Sequence, residues 1–170
     1  MDRSLALGGF MGTGKSTIGL LIAELAGVPF VDLDARIAAR FGPVSELIRM
    51  QGEPAFRAIE ASELARALDG GVCVLATGGG AWVSEANRVR LREAALCVVL
   101  TAPLDVLRQR VAGTDRPLWD DAVDARFASR REAYLDADLV VDTASASPIE
   151  IAQRVYAFWR HHGGGEPAPS

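Results

Sequence analysis

Lysine is nearly missing from this sequence: eighteen residues are basic, and Lys15 is the only one that is not arginine. So strong a bias sets apart the single position that escapes it. Cysteine is as sparse. Cys73 and Cys97 are the only two, each inside an apolar run, which points to buried reduced thiols rather than to a disulfide or a metal site. No apolar stretch approaches the ~20 residues of a membrane helix; the longest, Val72 to Ala76 and Leu96 to Leu100, have the length of strands. The opening residues, Met1-Asp2-Arg3-Ser4, pass straight into a strand-like run without the architecture of a signal peptide. There is no excess of positive charge either. A net charge of -4 leaves no electrostatic footprint for nucleic acid. A cytoplasmic protein, with neither nucleic-acid nor membrane partners, is expected.

What is present is an ordinary globular composition, nearly half apolar and a quarter charged, over 170 residues. That length suits one domain with one core. Short apolar runs alternate with longer stretches of helical period, the pattern of βα units on a parallel sheet. Strands are predicted at Leu5 to Gly8, Phe30 to Asp32, Val72 to Ala76, Leu96 to Thr101 and Leu139 to Asp142. Helices are predicted at Lys15 to Ala26, Asp34 to Phe41, Val44 to Gln51, Glu53 to Leu68, Glu85 to Ala94, Pro103 to Val111, Val123 to Leu135 and Pro148 to Arg160. The fold class is α/β, a five-stranded parallel sheet between two helical layers. Residues 112–121 carry turn residues and charges without a period and read as a mobile lid. The domain is expected to span residues 1–160, with 161–170, including His161 and His162, as a flexible tail.

Three predicted strands end in residues suited to a site: Gly8-Gly9, Asp32 and Thr77-Gly78-Gly79-Gly80. Ligands of open parallel sheets sit beyond the carboxyl ends of the strands, so these loops should converge. The first continues as Gly9-Phe10-Met11-Gly12-Thr13-Gly14-Lys15-Ser16-Thr17, which satisfies G-x-x-x-x-G-K-[ST] between a strand and a helix. Its glycines let successive N–H groups face one anion at a helix N-terminus, where the dipole favours phosphate. Lys15 would bridge the β- and γ-phosphates and Ser16 would ligate Mg²⁺. Chance alone would produce such a pattern in roughly one chain of this length in a few hundred. The flanking strand and helix, and the lone lysine inside the motif, point to nucleotide binding.

Asp32 and Asp34 stand two apart at the end of the second predicted strand, where an extended backbone would point both to one face. No clear acidic residue follows the third strand, so Asp32 is the candidate for the Mg²⁺ water shell. Asp34 has two readings, a cap of the following helix or a carboxylate that meets an acceptor hydroxyl. Arg57 and Glu60 are i,i+3 neighbours that read either as a surface ion pair or as a guanidinium pinned to meet a substrate carboxylate. Three successive glycines at Gly78 to Gly80 offer no packing, and close approach of a ligand to bare backbone would compensate.

Taken in order, these pieces resemble the shikimate kinase family. The match covers about Ala6 to Pro148: G-x-M-G-x-G-K-S-T at Gly9 to Thr17, F-x-D-x-D at Phe30 to Asp34, G-E-x-x-F-R-x-x-E at Gly52 to Glu60, G-G-G at Gly78 to Gly80, R-P-L at Arg116 to Leu118, and the arginine-to-tyrosine spacing from Arg130 to Asp138. The resemblance implies a nucleoside monophosphate kinase-like P-loop fold with ATP as cosubstrate and Mg²⁺ as cofactor. The implied reaction moves the γ-phosphate to the 3-hydroxyl of shikimate, in chorismate and aromatic amino acid biosynthesis. Carried over by position, Gly12, Thr13, Gly14, Lys15, Ser16 and Thr17 hold the nucleotide, with Arg110 near the adenine and Pro148 on the same side. Arg116 swings from the lid onto the phosphates, as an arginine finger supplied in cis; read by itself it is a solvated loop charge. Asp34 contacts the ring hydroxyls as candidate base, and Arg57, Gly79 and Arg130 bind the acceptor, the arginines on its carboxylate, beside Glu60, Gly78 and Gly80. A monomer is expected.

The departures from the family pattern fall on the lid and the adenine side. The stretches Arg110 to Arg116 and Arg116 to Arg130 are short, Trp119 stands for a small aliphatic residue, Glu132 for a proline and Ala146 for an arginine. None removes a residue that touches the transferred phosphate. A gluconate kinase-like enzyme would share the phosphate loop but not both carboxylate-directed arginines. A signalling GTPase needs a second lysine for its N-K-x-D motif and is disfavoured. A catalytically silent nucleotide-binding module is disfavoured by the joint presence of Lys15, Ser16, Asp32, Asp34, Arg57, Arg116 and Arg130.

Overall fold

A computed structural model describes residues 2–112 and 122–163. Arg116, Trp119 and the expected lid beyond residue 112 lie outside the described residues, as do 164–170 of the expected tail. The strands are β1 (Ser4–Gly9), β2 (Phe30–Asp32), β3 (Val74–Ala76), β4 (Ala95–Thr101) and β5 (Leu139–Asp142). The helices are α1 (Lys15–Ala26), α2 (Leu33–Phe41), α3 (Val44–Gln51), α4 (Glu53–Leu68), α5 (Glu85–Ala94), α6 (Leu104–Val111), α7 (Val123–Leu135) and α8 (Pro148–His162). The five strands are parallel in the order β2-β3-β1-β4-β5.

The apolar runs at β1 and β4 are unbroken because both faces of the sheet are covered. Leu5, Leu7, Leu96, Val98 and Leu100 pack with Ile18 and Ile22 of α1 and Val155 and Trp159 of α8. Ala6, Cys97 and Val99, the alternate positions, pack with Ile37 of α2, Leu64 of α4, Leu91 of α5 and Tyr134 of α7. Period-two alternation therefore sorts one sequence run into two cores. Both cysteines are free and buried, as expected.

The central strand places the site. From β1 the chain leaves for β2 on one side, returns to β3, and crosses to β4 on the other side of β1. A crevice therefore opens beyond the carboxyl end of β1, the place where such sheets take ligands.

Several expected boundaries move by one or two residues, and two of the shifts have a visible cause. β3 begins at Val74 rather than Val72, because the Cys73 N–H is taken by Ser4 Oγ at 3.1 Å instead of a strand ladder. The tail begins later than residue 161: α8 runs to His162, and the Gly163 carbonyl accepts the Asp2 and Arg3 N–H groups at 3.0 and 3.3 Å. Trp159 Nε1 donates to the Arg3 carbonyl at 3.0 Å, so the last helical turn is fastened to the strand that starts the sheet.

A second fastening joins α2 to α4. Glu63 has no exposed surface, yet it accepts hydrogen bonds from Arg36 at 3.0 Å, from Arg40, and from Arg66 at 3.1 Å. Burial alone would raise its carboxyl, but Arg36 and Arg40, helped by the charge of Arg66, hold it below the usual range. A carboxyl that binds its proton more weakly in the fold stabilises fully above its unfolded pKa, near ~4.3, and loses that contribution as pH falls through the folded value. Glu63→Gln should cost about 2 to 3 kcal/mol at pH 7, at or below the range for breaking a buried pair because the arginines keep partial access to water. Urea unfolding at pH 7 and pH 3 checks it. A gap between the variant and the parent that persists at low pH would refute the assignment.

Candidate active site

The phosphate loop is built from backbone that only glycine adopts easily. Gly12 and Gly14 have φ of 84° and 89°, and a Cβ on Gly12 would lie 2.9 Å from Val111. Gly14 is the N-cap of α1 and contributes no side chain, so the first N–H groups of the helix face the loop's concavity. Thr13 is buried and donates to the Phe10 carbonyl at 2.7 Å. Lys15 Nζ donates to the carbonyls of Gly9 and Phe10 at 2.9 and 3.0 Å, bracing the loop across its mouth. Ser16 and Thr17 stand exposed on the first turn of α1.

Asp32 and Asp34 part company. The expectation that an extended backbone aims both carboxylates one way fails, since β2 stops at Asp32 and Asp34 is in the first turn of α2. Asp32 is the cap: its Oδ1 accepts the Ala35 N–H at 3.1 Å. Its Oδ2 accepts from Ser16 Oγ at 2.7 Å, which brings two hard oxygen donors together beside the phosphate loop, a set that suits Mg²⁺. Asp34 is thereby released from capping and turns toward Gly78.

The three glycines each make room for one predicted residue. A Cβ on Gly78 would lie 2.6 Å from Asp34 Oδ1, one on Gly79 would lie 2.8 Å from Arg130 Nη1, and one on Gly80 would run into the Arg57 guanidinium. None of the three has φ in the left-handed region. Their requirement is space, not torsion. This turn brings Asp34 of α2, Arg57 of α4 and Arg130 of α7 onto one surface, although 96 positions separate the first from the last in sequence.

Arg57 is no surface ornament. Its partner Glu60 is 1% exposed and accepts from Nη1 at 2.8 Å, while Glu53 accepts from Nη2 at 2.9 Å. Burial pushes the Glu60 carboxyl up, Arg57 draws it back, and the charges of Asp34 and Arg130 both reach it. Burial by itself would lower the Arg57 guanidinium, but Glu60 and Glu53 leave it raised, so it stays cationic. Arg130 is buried, with its guanidinium 5.6 Å from the centre of the Phe10 ring. Arg57, Gly80 and Arg130 line a cavity of about 470 Å³, together with Glu53, Asn87 and Arg126.

Arg110 at the end of α6 donates to the Thr143 hydroxyl and carbonyl at 2.8 and 2.6 Å, just past β5. Pro148 opens α8 behind a Ser147–Glu150 capping box. His161 and His162 lie in the last turn of α8, at the opposite end of that helix from Pro148, and no group of three or more His, Cys, Asp or Glu side chains that could hold a metal is present among the described residues.

Several contributors were not read from the sequence. Glu53 and Arg126 are charged helix residues whose direction only the tertiary structure gives. Trp82, 1% exposed, donates through Nε1 to Thr77 Oγ1 at 2.6 Å, and Thr77 Oγ1 donates to the Leu7 carbonyl at 3.0 Å. Its indole fills the space beside Gly8, where a Cβ would lie 2.6 Å from Nε1. One side chain thus supports both β1 and the glycine turn. A large aromatic two residues after a glycine run was the available signal.

Gly80→Ala should displace the Arg57 fork rather than unfold the chain, because the colliding atoms are the far end of a flexible side chain. Acceptor KM should rise about tenfold or more, the usual value of a hydrogen bond to a charged group. KM for ATP and the unfolding temperature should hardly change. Acceptor KM within twofold of the parent would show that Arg57 makes no use of this position.

A family model described as shikimate kinase matches residues 11–160. The shikimate kinase of Geobacter sulfurreducens is 46% identical over 169 residues, covering 94% of this chain and 92% of that protein. Among solved structures, shikimate kinase from Acinetobacter baumannii in complex with shikimate superposes with a TM-score of 0.86 at 28% identity, covering 95% of this chain and 94% of that one. A gluconokinase from Sinorhizobium meliloti 1021 shares the fold, with a TM-score of 0.56 at 22% identity over 94% of this chain and 93% of its own.

Proposed function

The chain belongs to the shikimate kinase family, and from that membership we propose how its residues divide the work of passing a phosphoryl group from ATP to shikimate. ATP-dependent phosphorylation of shikimate, in aromatic amino acid biosynthesis, is its function. The observation that carries the division of labour is the glycine turn, which gathers one carboxylate and two guanidiniums beside the phosphate loop.

The triphosphate lies on the first turn of α1, held by the loop amides and by Lys15. Ser16 and Asp32 would hold Mg²⁺, which when bound neutralises phosphate charge. Arg57 and Arg130 grip the acceptor carboxylate, a planar anion that suits two forks. Glu60 keeps the Arg57 fork from rotating. Fixed at that end, shikimate presents its 3-hydroxyl to Asp34, whose carboxylate takes the proton as the oxygen attacks the γ-phosphorus and the bond from that phosphorus to the β,γ-bridging oxygen breaks, releasing ADP. Loose phosphoryl-transfer transition states need alignment and charge neutralisation more than covalent help, and these residues supply both. Arg110 takes the adenine side with Pro148; Arg116, outside the described residues, is proposed as a further cation for the phosphates.

A gluconate kinase-like acceptor is disfavoured by the two guanidiniums, which match a carboxylate and leave a polyol chain with little to bind. All the groups named come from one chain, and a monomer is the proposed assembly. No described helix is long and apolar enough to cross a membrane, and the cytoplasm is the proposed location.

The test is ADP release with ATP, Mg²⁺ and, in turn, shikimate, quinate, gluconate and nucleoside monophosphates. Shikimate should give the highest kcat/KM by at least tenfold. Preference for gluconate or a nucleotide would overturn the acceptor assignment, and ATP binding without turnover on any of them would favour the silent module.

A further inference from the structure

The three glycines of the acceptor surface have no side chains to hold them in place, and glycine is the residue with the most backbone freedom to lose. Backbone bonds give the turn its shape: the Ala81 N–H donates to the Gly78 carbonyl and the Val83 N–H to the Gly80 carbonyl, both at 3.1 Å. Side chains of α5 and α7 then take its outward carbonyls. The Tyr134 hydroxyl donates to Gly79 at 3.2 Å, Asn87 Nδ2 to Ala81 at 3.2 Å and Arg88 Nη1 to Trp82 at 2.7 Å. These bonds fasten the turn to helices.

Trp82 fastens it to the sheet. Its Nε1 reaches back across the turn to Thr77 Oγ1 at 2.6 Å. Thr77 is itself anchored twice on the Leu7 carbonyl of β1, by its N–H and by its hydroxyl, each at 3.0 Å. An indole N–H only donates, so the Thr77 hydroxyl accepts from Trp82 and passes its own proton to Leu7. The fastening lies where the two halves of the site adjoin. The indole fills the space that a side chain on Gly8 would need, since a Cβ there would fall 2.3 Å from the ring. One residue further, the Gly9 carbonyl accepts from Lys15 at 2.9 Å and lies 3.5 Å from the position of a Cβ on Gly79. The phosphate loop and the glycine turn therefore meet at Gly9, directly beyond the contact of Trp82 with Gly8.

We propose that Trp82 is a positioning residue for phosphoryl transfer: it closes the glycine turn onto Thr77 and the end of β1, so that acceptor and triphosphate are held at one separation. This rests on the reading of the turn as the acceptor surface. Transfer between two bound molecules depends steeply on their separation, and a misplacement of about 1 Å can cost 10²-fold in rate. A spacer that touches neither molecule leaves the contacts of each intact. Its loss therefore shows in kcat rather than in KM.

Trp82→Phe keeps a ring in the core and deletes the N–H, Thr77→Val deletes the hydroxyl and keeps the shape, and Thr77→Ser keeps the hydroxyl. These and the W82F/T77V double variant are compared by thermal unfolding and by steady-state kinetics with ATP and shikimate, well below the unfolding temperature of each. W82F and T77V should each lower kcat about ten- to hundredfold, with KM for shikimate and for ATP within about threefold of the parent. The double variant should lie within about threefold of the slower single variant, since both remove the same bond. T77S should stay within about threefold of the parent. A lower unfolding temperature for W82F with kcat within twofold of the parent would overturn the proposal and leave Trp82 a packing residue. Losses that multiply in the double variant, or T77S as slow as T77V, would overturn it too, and so would a higher shikimate KM at unchanged kcat. If Gly80→Ala leaves acceptor KM unchanged, the reading of the turn as the acceptor surface falls and the role of Trp82 falls with it. If G80A raises that KM and W82F keeps kcat, only the role of Trp82 is lost.

Discussion

Asp34→Asn should reduce kcat by about 10²- to 10⁴-fold, the span general-base catalysis supplies, while leaving the fold and ATP affinity in place. The expectation follows from how α2 begins. Asp32 caps the helix and faces Ser16, so the stability of the helix start does not depend on Asp34. Asp34 faces Gly78, within the electrostatic reach of Glu60. Asparagine keeps the size and the hydrogen-bonding oxygen but cannot take a proton, so binding and turnover should separate. Kinetics with saturating ATP, together with ATP binding and thermal unfolding, measure the two. Turnover within tenfold of the parent would remove Asp34 from its role. A loss carried wholly by ATP affinity would move it to the nucleotide side.

Lys15→Met should lower kcat by about 10²- to 10³-fold, comparable to removing one preorganised charge-stabilising donor from a site that develops negative charge. Two functions end together. The ammonium that would neutralise the transferred phosphoryl disappears, and so does the brace to the carbonyls of Gly9 and Phe10. Methionine fills the volume but repairs neither. Since the sequence has no other lysine, an amine-directed reagent offers an independent measurement on the unaltered protein. Inactivation should accompany labelling of one side chain, and ATP should slow both. Inactivation with label confined to the terminal amine would separate Lys15 from the loss.

Much of this site was legible because its parts are short-range. The phosphate loop is one motif on one strand-turn-helix, and its conformation follows from Gly12 and Gly14. The boundaries of α1, α3, α4, α5 and α7 follow from local period and punctuation, and the structure keeps them as read. What failed to show depended on distance. Nothing within the fourth helix says that Glu60 is buried; that follows from the elements laid against it and from the Arg57 fork that meets it beside Gly80. The alternation argument at Asp32 and Asp34 failed because the helix begins one residue earlier than expected, at Leu33. Tyr134 was noticed only as a spacing, since a hydroxyl's partners cannot be inferred from the residue that bears it. Glu63 likewise reads as one more charged helix position until α2 is laid against it.

The clasp of Gly163 with Asp2 and Arg3 has a practical corollary. It lies at the amino edge of the sheet, whereas nucleotide and acceptor enter from the carboxyl edge. A tether joined at Asp2 or Gly163 would therefore leave from the pole opposite that entrance. An enzyme immobilised through either of these two residues should keep the entrance unobstructed.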